Sequence, residues 1–163
     1  MKTNTAENMK IGEKAPIQLK GEVFGVLRVQ NMFLDREMRI SFGENIVTNT
    51  GLIVALTRLK DTSYGAISHL AIGTSSTAES ATQTTLGSEK VRKSATVTVD
   101  TSNYKIKAEA SFSSSEINGT QEVGIFNASS GGQMIARKVL SPAVQIPSGF
   151  TVSVTYELTL SRA

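Results

Sequence analysis

The chain has 163 residues, 17 Lys/Arg against 14 Asp/Glu, a single histidine and no cysteine. That length suits one domain with a real core. The missing cysteines exclude disulfides and zinc–thiolate sites. With only three aspartates as well, the side chains that most often supply thiolates, near-neutral acids and bases and metal ligands are scarce or missing.

No apolar run approaches the length of a membrane span, and residues 1–10 lack the hydrophobic region of a secretory signal. A product made in the cytoplasm, including one that leaves in an assembled particle, is the expectation. Residues 1–60 hold nine Lys/Arg and six Asp/Glu, whereas residues 61–163 hold eight of each. The positive excess is therefore N-terminal. It is spread over Lys2, Lys10, Lys14, Lys20, Arg28, Arg36 and Arg39 with no interleaved aromatic platform, which argues against nucleic acid as a partner.

In chain order, residues 1–20 are polar with isolated Ile11, Ile17 and Leu19, and read as an extended arm. Residues 22–30 are rich in β-branched side chains and residues 38–42 alternate cleanly, so both are predicted strands. Gly43-Glu44-Asn45 is a predicted turn. A helix follows, capped by Thr48 or Thr50, with Leu52, Ile53, Ala55, Leu56 and Leu59 in a stripe at helical spacing. Such a stripe is expected to pack on the chain's own sheet. Residues 70–73 predict a short buried strand, and residues 74–86 a Ser/Thr-rich loop with one helical turn near Thr85.

Further strands are predicted over 95–99, 104–112, 121–127, 133–139 and 150–160. Turns are expected at 100–103, 115–119 and 129–132, and Pro142 and Pro147 bracket a crossing loop. In the last strand Phe150, Val152, Val154, Tyr156, Leu158 and Leu160 share one parity, opposite Thr151, Ser153, Thr155, Glu157 and Thr159. This predicts one buried face and one hydroxyl-rich outer face. The whole reads as mainly β: an antiparallel β-sandwich of seven or eight strands with one α-helix near 50–60, forming a single domain over 21–163 behind the N-terminal arm.

A search for chemistry finds no catalytic, cofactor-binding or metal site. His69 has no second histidine or nearby carboxylate, and reads as a hydrogen-bonded surface or edge residue. Gly73-Thr74-Ser75-Ser76 follows a strand as a phosphate loop would, but lacks the spaced glycines and lysine. Glu116 and Glu122 flank Asn118-Gly119 like a glycosidase pair, yet turn capping and loop solubility account for them. Asn127-Ala128-Ser129 matches a glycosylation sequon that carries little weight without a secretory signal.

Three stretches taken together resemble a loose family of tailed-bacteriophage virion proteins, the tail-fibre-like or minor structural proteins. They are NIVTNTGL (residues 45–52), LAIGTSSTAESATQTTLGSE (residues 70–89) and FSSSEINGTQEVGIFNASSGGQMIAR (residues 112–137), followed by the alternating TVSVTYELTL. The second is similar to the family's "IGTG" strand end and "TxLxxE" segment, the third to its "F…EANG…EVGLF…G…ARA" block.

The resemblance implies a β-rich virion component that is not an enzyme, needs no cofactor and works as a homo-oligomer, with a trimer as the expected form. Without a fibre shaft, a head-decoration, neck or tail accessory fits better than a tail fibre or receptor-binding component. The arm, through Lys2, Lys10, Lys14, Ile17, Leu19 and Lys20, is expected to bind a neighbouring capsid or tail protein. A carbohydrate-binding β-sandwich module is the alternative from another class.

Overall fold

The computed structural model describes the backbone of residues 17–31 and 34–162 and the side chains of residues 43–160. Nine strands and two helices follow in chain order: β1 (Ile17–Asn31), β2 (Leu34–Val47), α1 (Asn49–Lys60), β3 (His69–Gly73), β4 (Glu89–Ser94), β5 (Thr96–Asp100), β6 (Lys105–Ser113), α2 (Ser114–Ile117), β7 (Glu122–Phe126), β8 (Met134–Val139) and β9 (Thr151–Arg162). All pairings are antiparallel, in the order β4-β3-β7-β8-β2-β1-β9-β6-β5.

The fold is a mainly β, sandwich-like pair of antiparallel sheets. One layer is β4-β3-β7-β8 and the other β2-β1-β9-β6-β5, and β2 joins them because Ile46 and Val47 pair with Arg137 and Ala136 of β8. At the opposite end of the strand order, β4 and β5 are separated only by Ala95. The two edge strands that end the order are thus consecutive in the chain. Between the layers, Leu70, Ile72, Val123 and Ile125 face Ala108, Ala110, Phe112, Val152, Val154, Tyr156 and Leu158, all buried. A smaller cluster of Ala71, Leu86, Phe126 and Met134 seals the outside of the first layer. Leu86 reaches it from the 74–88 loop.

Several expectations are corrected. Gly43-Glu44-Asn45 does not turn but lies inside β2. Val23 pairs with Gly43 and Phe24 with Ser41, so Phe42 is an extra residue in a β-bulge that the φ of +84° at Gly43 accommodates. Residues 89–94, with four charges in six, form β4 because Arg92 is held by the Glu89 carboxylate (2.6 and 2.9 Å), by the carbonyls of Ala128 and Gly131, and over the Phe126 ring. The 115–119 turn is the one-turn helix α2, whose Glu116 carboxylate accepts from the Ser113 amide (2.8 Å) and hydroxyl. The 74–88 loop contains no helical turn near Thr85.

In β9 the hydroxyl-rich face is buried too: Ser153, Thr155 and Glu157 are at most 9% exposed. This strand lies between β1 and β6, and its polar face is covered by neighbours that satisfy it. Ser111 meets Ser153 at 3.0 Å, and Lys105 and Lys107 both reach Glu157.

Candidate functional site

Glu122 opens β7, where every residue is buried, and Arg137 lies on β8 among Met134, Ile135 and Ala136. Both side chains are wholly buried. Register sets Arg137 opposite Gly124, one pleat from Glu122, and the guanidinium spans that gap. Arg137 Nε and Nη2 lie 2.9 and 2.8 Å from Glu122 Oε2. The carboxylate also accepts from the amides of Gly87 (2.9 Å), Ser88 (2.7 Å) and Ser75 (3.3 Å). Arg137 Nη1 donates to the Thr77 carbonyl and to Gln83 Oε1, both at 3.0 Å.

The pair is therefore a clasp that holds both ends and the middle of the 74–88 loop against the sheet. Gly73 permits the approach, since a Cβ there would lie 2.5 Å from Glu122 Oε1. The loop's amides do converge on an anion, as in a phosphate cradle, but the anion is the chain's own glutamate. The carboxylate is thus engaged by a guanidinium and three loop amides of its own chain.

The remaining candidates are also spent internally. Glu116 binds Lys93 at 2.7 Å, and that ammonium, followed by the Ser113 amide, holds its carboxyl below the usual range. Glu116 and Glu122 thus serve different contacts and do not form an acid/base pair, and Glu122 is a buried ion rather than a solubilising loop residue. His69 Nδ1 meets Ser68 Oγ at 2.8 Å, so it is hydrogen-bonded, but β3 lies between β4 and β7 and the residue is half-buried within the sheet, not at its edge. Asn127 Oδ1 accepts from the Gln133 amide across its turn. Burial, with the Glu79 carboxylate adding to it, raises the Tyr156 phenol well above its ordinary value. Among the described residues no three His, Asp or Glu gather as metal ligands. Among the described residues no helix is long and apolar enough to cross a membrane.

α1 departs most from expectation. Its apolar stripe does not pack on the sheet: only Gly51 and Val54 are buried, while Leu52, Ile53, Leu56 and Leu59 are 44%, 53%, 68% and 87% exposed. The helix's attachment explains its rotation. Thr48, wholly buried, donates from Oγ1 to the Met134 carbonyl (2.6 Å) and accepts from the Gly51 amide (3.0 Å). Its own amide bonds the Ile135 carbonyl, and the Asn49 amide bonds Ala81. Gly51 then lies directly on the Ile135 carbonyl, where any Cβ would collide. With the cap and the glycine fixing which side meets β8, the leucines face outward.

A second uncovered apolar area lies on β5, β6, β9 and the turn before β6, where Val97, Val99, Tyr104, Ile106 and Leu160 are 36–70% exposed. Of the residues assigned to the arm, Lys2, Lys10 and Lys14 lie outside the described residues. Ile17, Leu19 and Lys20 are not part of a free arm: they occupy the start of β1, paired with Arg162, Leu160 and Thr159 of β9. Sequence reasoning missed the clasp, although a Glu and an Arg each embedded in an apolar run was its available signal. Comparison with family models, curated proteins and solved structures finds no match.

Proposed function

We propose that this chain is a non-enzymatic structural component of a tailed-phage particle, a head-decoration, neck or tail accessory that works as a homo-oligomer. The observation that carries this reading is the leucine face of α1, held away from the chain's own core by a rigid cap. An apolar area of several hundred Å² is the size of the largest patch on a typical monomer, and such patches often mark an interaction site. A second support is where the phage-like segments fall. Residues 70–89 and 112–137 supply the loop, Glu122 and Arg137 of the clasp, so their distinctive residues build a scaffold and leave function to the surfaces.

Residues 1–16, with Lys2, Lys10 and Lys14, are proposed to bind a neighbouring virion protein. A carbohydrate-binding module is less well supported, because Tyr104 is the one aromatic among the described side chains that is largely exposed, and sugar sites favour aromatic platforms. Quantitative mass spectrometry of purified particles tests the proposal. Copies commensurate with the capsid lattice would place the chain on the head, and a handful would place it at the neck or tail. Absence from the particles, with glycan binding by the isolated chain, would overturn the reading in favour of the sugar-binding module.

A further inference from the structure

The exposed residues of α1 are spaced in a specific way. Asn49, Leu52, Leu56 and Leu59 follow one another by three, four and three residues, the a-d-a-d spacing by which one helix seats its side chains between those of another. At 100° per residue they fall within about 80° of arc, centred about 150° from the buried Gly51 and Val54. Ile53, 53% exposed, flanks this seam and widens the apolar face to about 120°.

From this seam we infer that α1 is a self-association surface, on which the α1 helices of further copies of this chain pack in parallel and in register around a rotation axis. The inference rests on the homo-oligomer reading above and names its interface.

Three observations favour a second copy as the occupant. The seam is self-complementary, so an identical helix presents the matching knobs and holes. Residues 1–16 contain Ile11 as their one Leu, Ile, Val or Phe, too little to cover four large apolar side chains from within. The exposed fractions of Leu52, Ile53, Leu56 and Leu59 amount to roughly 500 Å² per copy, so a pair that covered them completely would reach about 1,000 Å², the threshold of a specific interface.

Parallel register follows from Asn49. At an a position a polar amide pairs with its own copy and fixes the alignment, whereas an antiparallel helix would set it against the apolar Leu59 of the partner. The basic C-terminal turns do not oppose this. Lys60 lies 3.3 Å from Asp61 and Arg58 donates to the Tyr64 carbonyl, and neither occupies the seam.

The test uses the full chain, which has no native cysteine. Sedimentation equilibrium should give a mass that is a multiple of 17.4 kDa, and Leu56→Glu, with circular dichroism unchanged, should return it to the monomer. Leu59→Glu, at the most exposed position, is the second variant should the first misfold. Asn49→Cys should form an intermolecular disulfide under mild oxidation. A monomeric wild type, an oligomer indifferent to both glutamates, or cross-linking of Leu52→Cys to Leu59→Cys without Asn49→Cys would each overturn the inference. A monomer that is nevertheless found in particles would remove the seam and leave the structural role standing. An oligomer absent from particles would do the reverse.

Discussion

In β7 and β8 a glutamate and an arginine are wholly buried, whereas in α1, attached to the same layer, Leu59 is 87% exposed. The two regions invert the usual partition in opposite senses, and the reasons differ. Charge is tolerated inside because each formal charge is met at once by the other and by backbone: three amides on the carboxylate, loop acceptors on the guanidinium. Leucine is tolerated outside because a threonine cap and a glycine contact fix the helix azimuth against β8 before the leucines can choose a face. In the first region polar satisfaction overrides hydropathy. In the second, backbone geometry does.

The comparison breaks most readily at the clasp. Arg137→Met would leave the Glu122 carboxylate buried without its counter-charge and release the 74–88 loop. Removing one partner of a buried pair costs about 3–5 kcal/mol, read by chemical denaturation. Replacing both residues with apolar ones should cost much less than either single change. A double variant no better than Arg137→Met would mean that the amide contacts, not the ion pair, carry the clasp.

Gly51→Ala comes next. Helix propensity alone would favour alanine by about 1 kcal/mol, but its Cβ would run into the Ile135 carbonyl oxygen. Overpacking of this kind costs about 1–3 kcal/mol. The melting temperature should therefore fall by a few degrees. A rise would mean that α1 can slide on β8, and the fixed azimuth of the leucine face would no longer hold.

These two sites also mark what the sequence discloses. The strands over 70–73, 122–126, 134–139 and 151–160 were legible because short apolar or β-branched runs between turns, and in the last of them a two-residue period, are local signals, as were a threonine cap at 48 or 50 and the extent of α1. Glu122 and Arg137 were not, because their partnership spans adjacent strands and a loop more than thirty residues earlier, and nothing local says that a charge within an apolar run is paired. The leucine stripe was visible but its direction was not. Periodicity reports that a helix has two faces, and only the tertiary contact at Gly51 decides which one meets the body. β4 was hidden for a related reason: its charges look like a loop until Arg92 finds Glu89, the 128–131 turn and Phe126.

A smaller effect separates the buried clasp from an exposed pair of the same chemistry. Lys93 and the Ser113 amide hold the Glu116 carboxyl below its ordinary value of 4.5. The folded chain therefore binds that proton more weakly than the unfolded chain does. The resulting stabilisation is complete above the ordinary value and is lost as pH falls through the lowered one. Glu116→Gln should cost less than about 1 kcal/mol at neutral pH, as expected for a partly exposed pair. The gap between variant and wild type should close as the solution is acidified below 4.5. A gap that persists unchanged into strong acid would mean that Glu116 acts by packing or neutral hydrogen bonding rather than charge.

The smallest expected change is the one that most sharpens the contrast. Leu56→Ala removes three carbons from a leucine 68% exposed, so the folded monomer loses little burial, while alanine gains slightly in helix propensity. Denaturation of the isolated monomer, at a concentration too low for association, should shift by no more than about 0.5 kcal/mol in either direction. A truncation of a leucine buried in the core, such as Leu70, would cost about 2–5 kcal/mol instead. The two leucines are chemically identical, so the difference between their costs measures how far α1 is turned from its own core. A Leu56→Ala cost near the core value would mean that the helix face is covered within the single chain, and both the exposed stripe and its proposed partner would fall together.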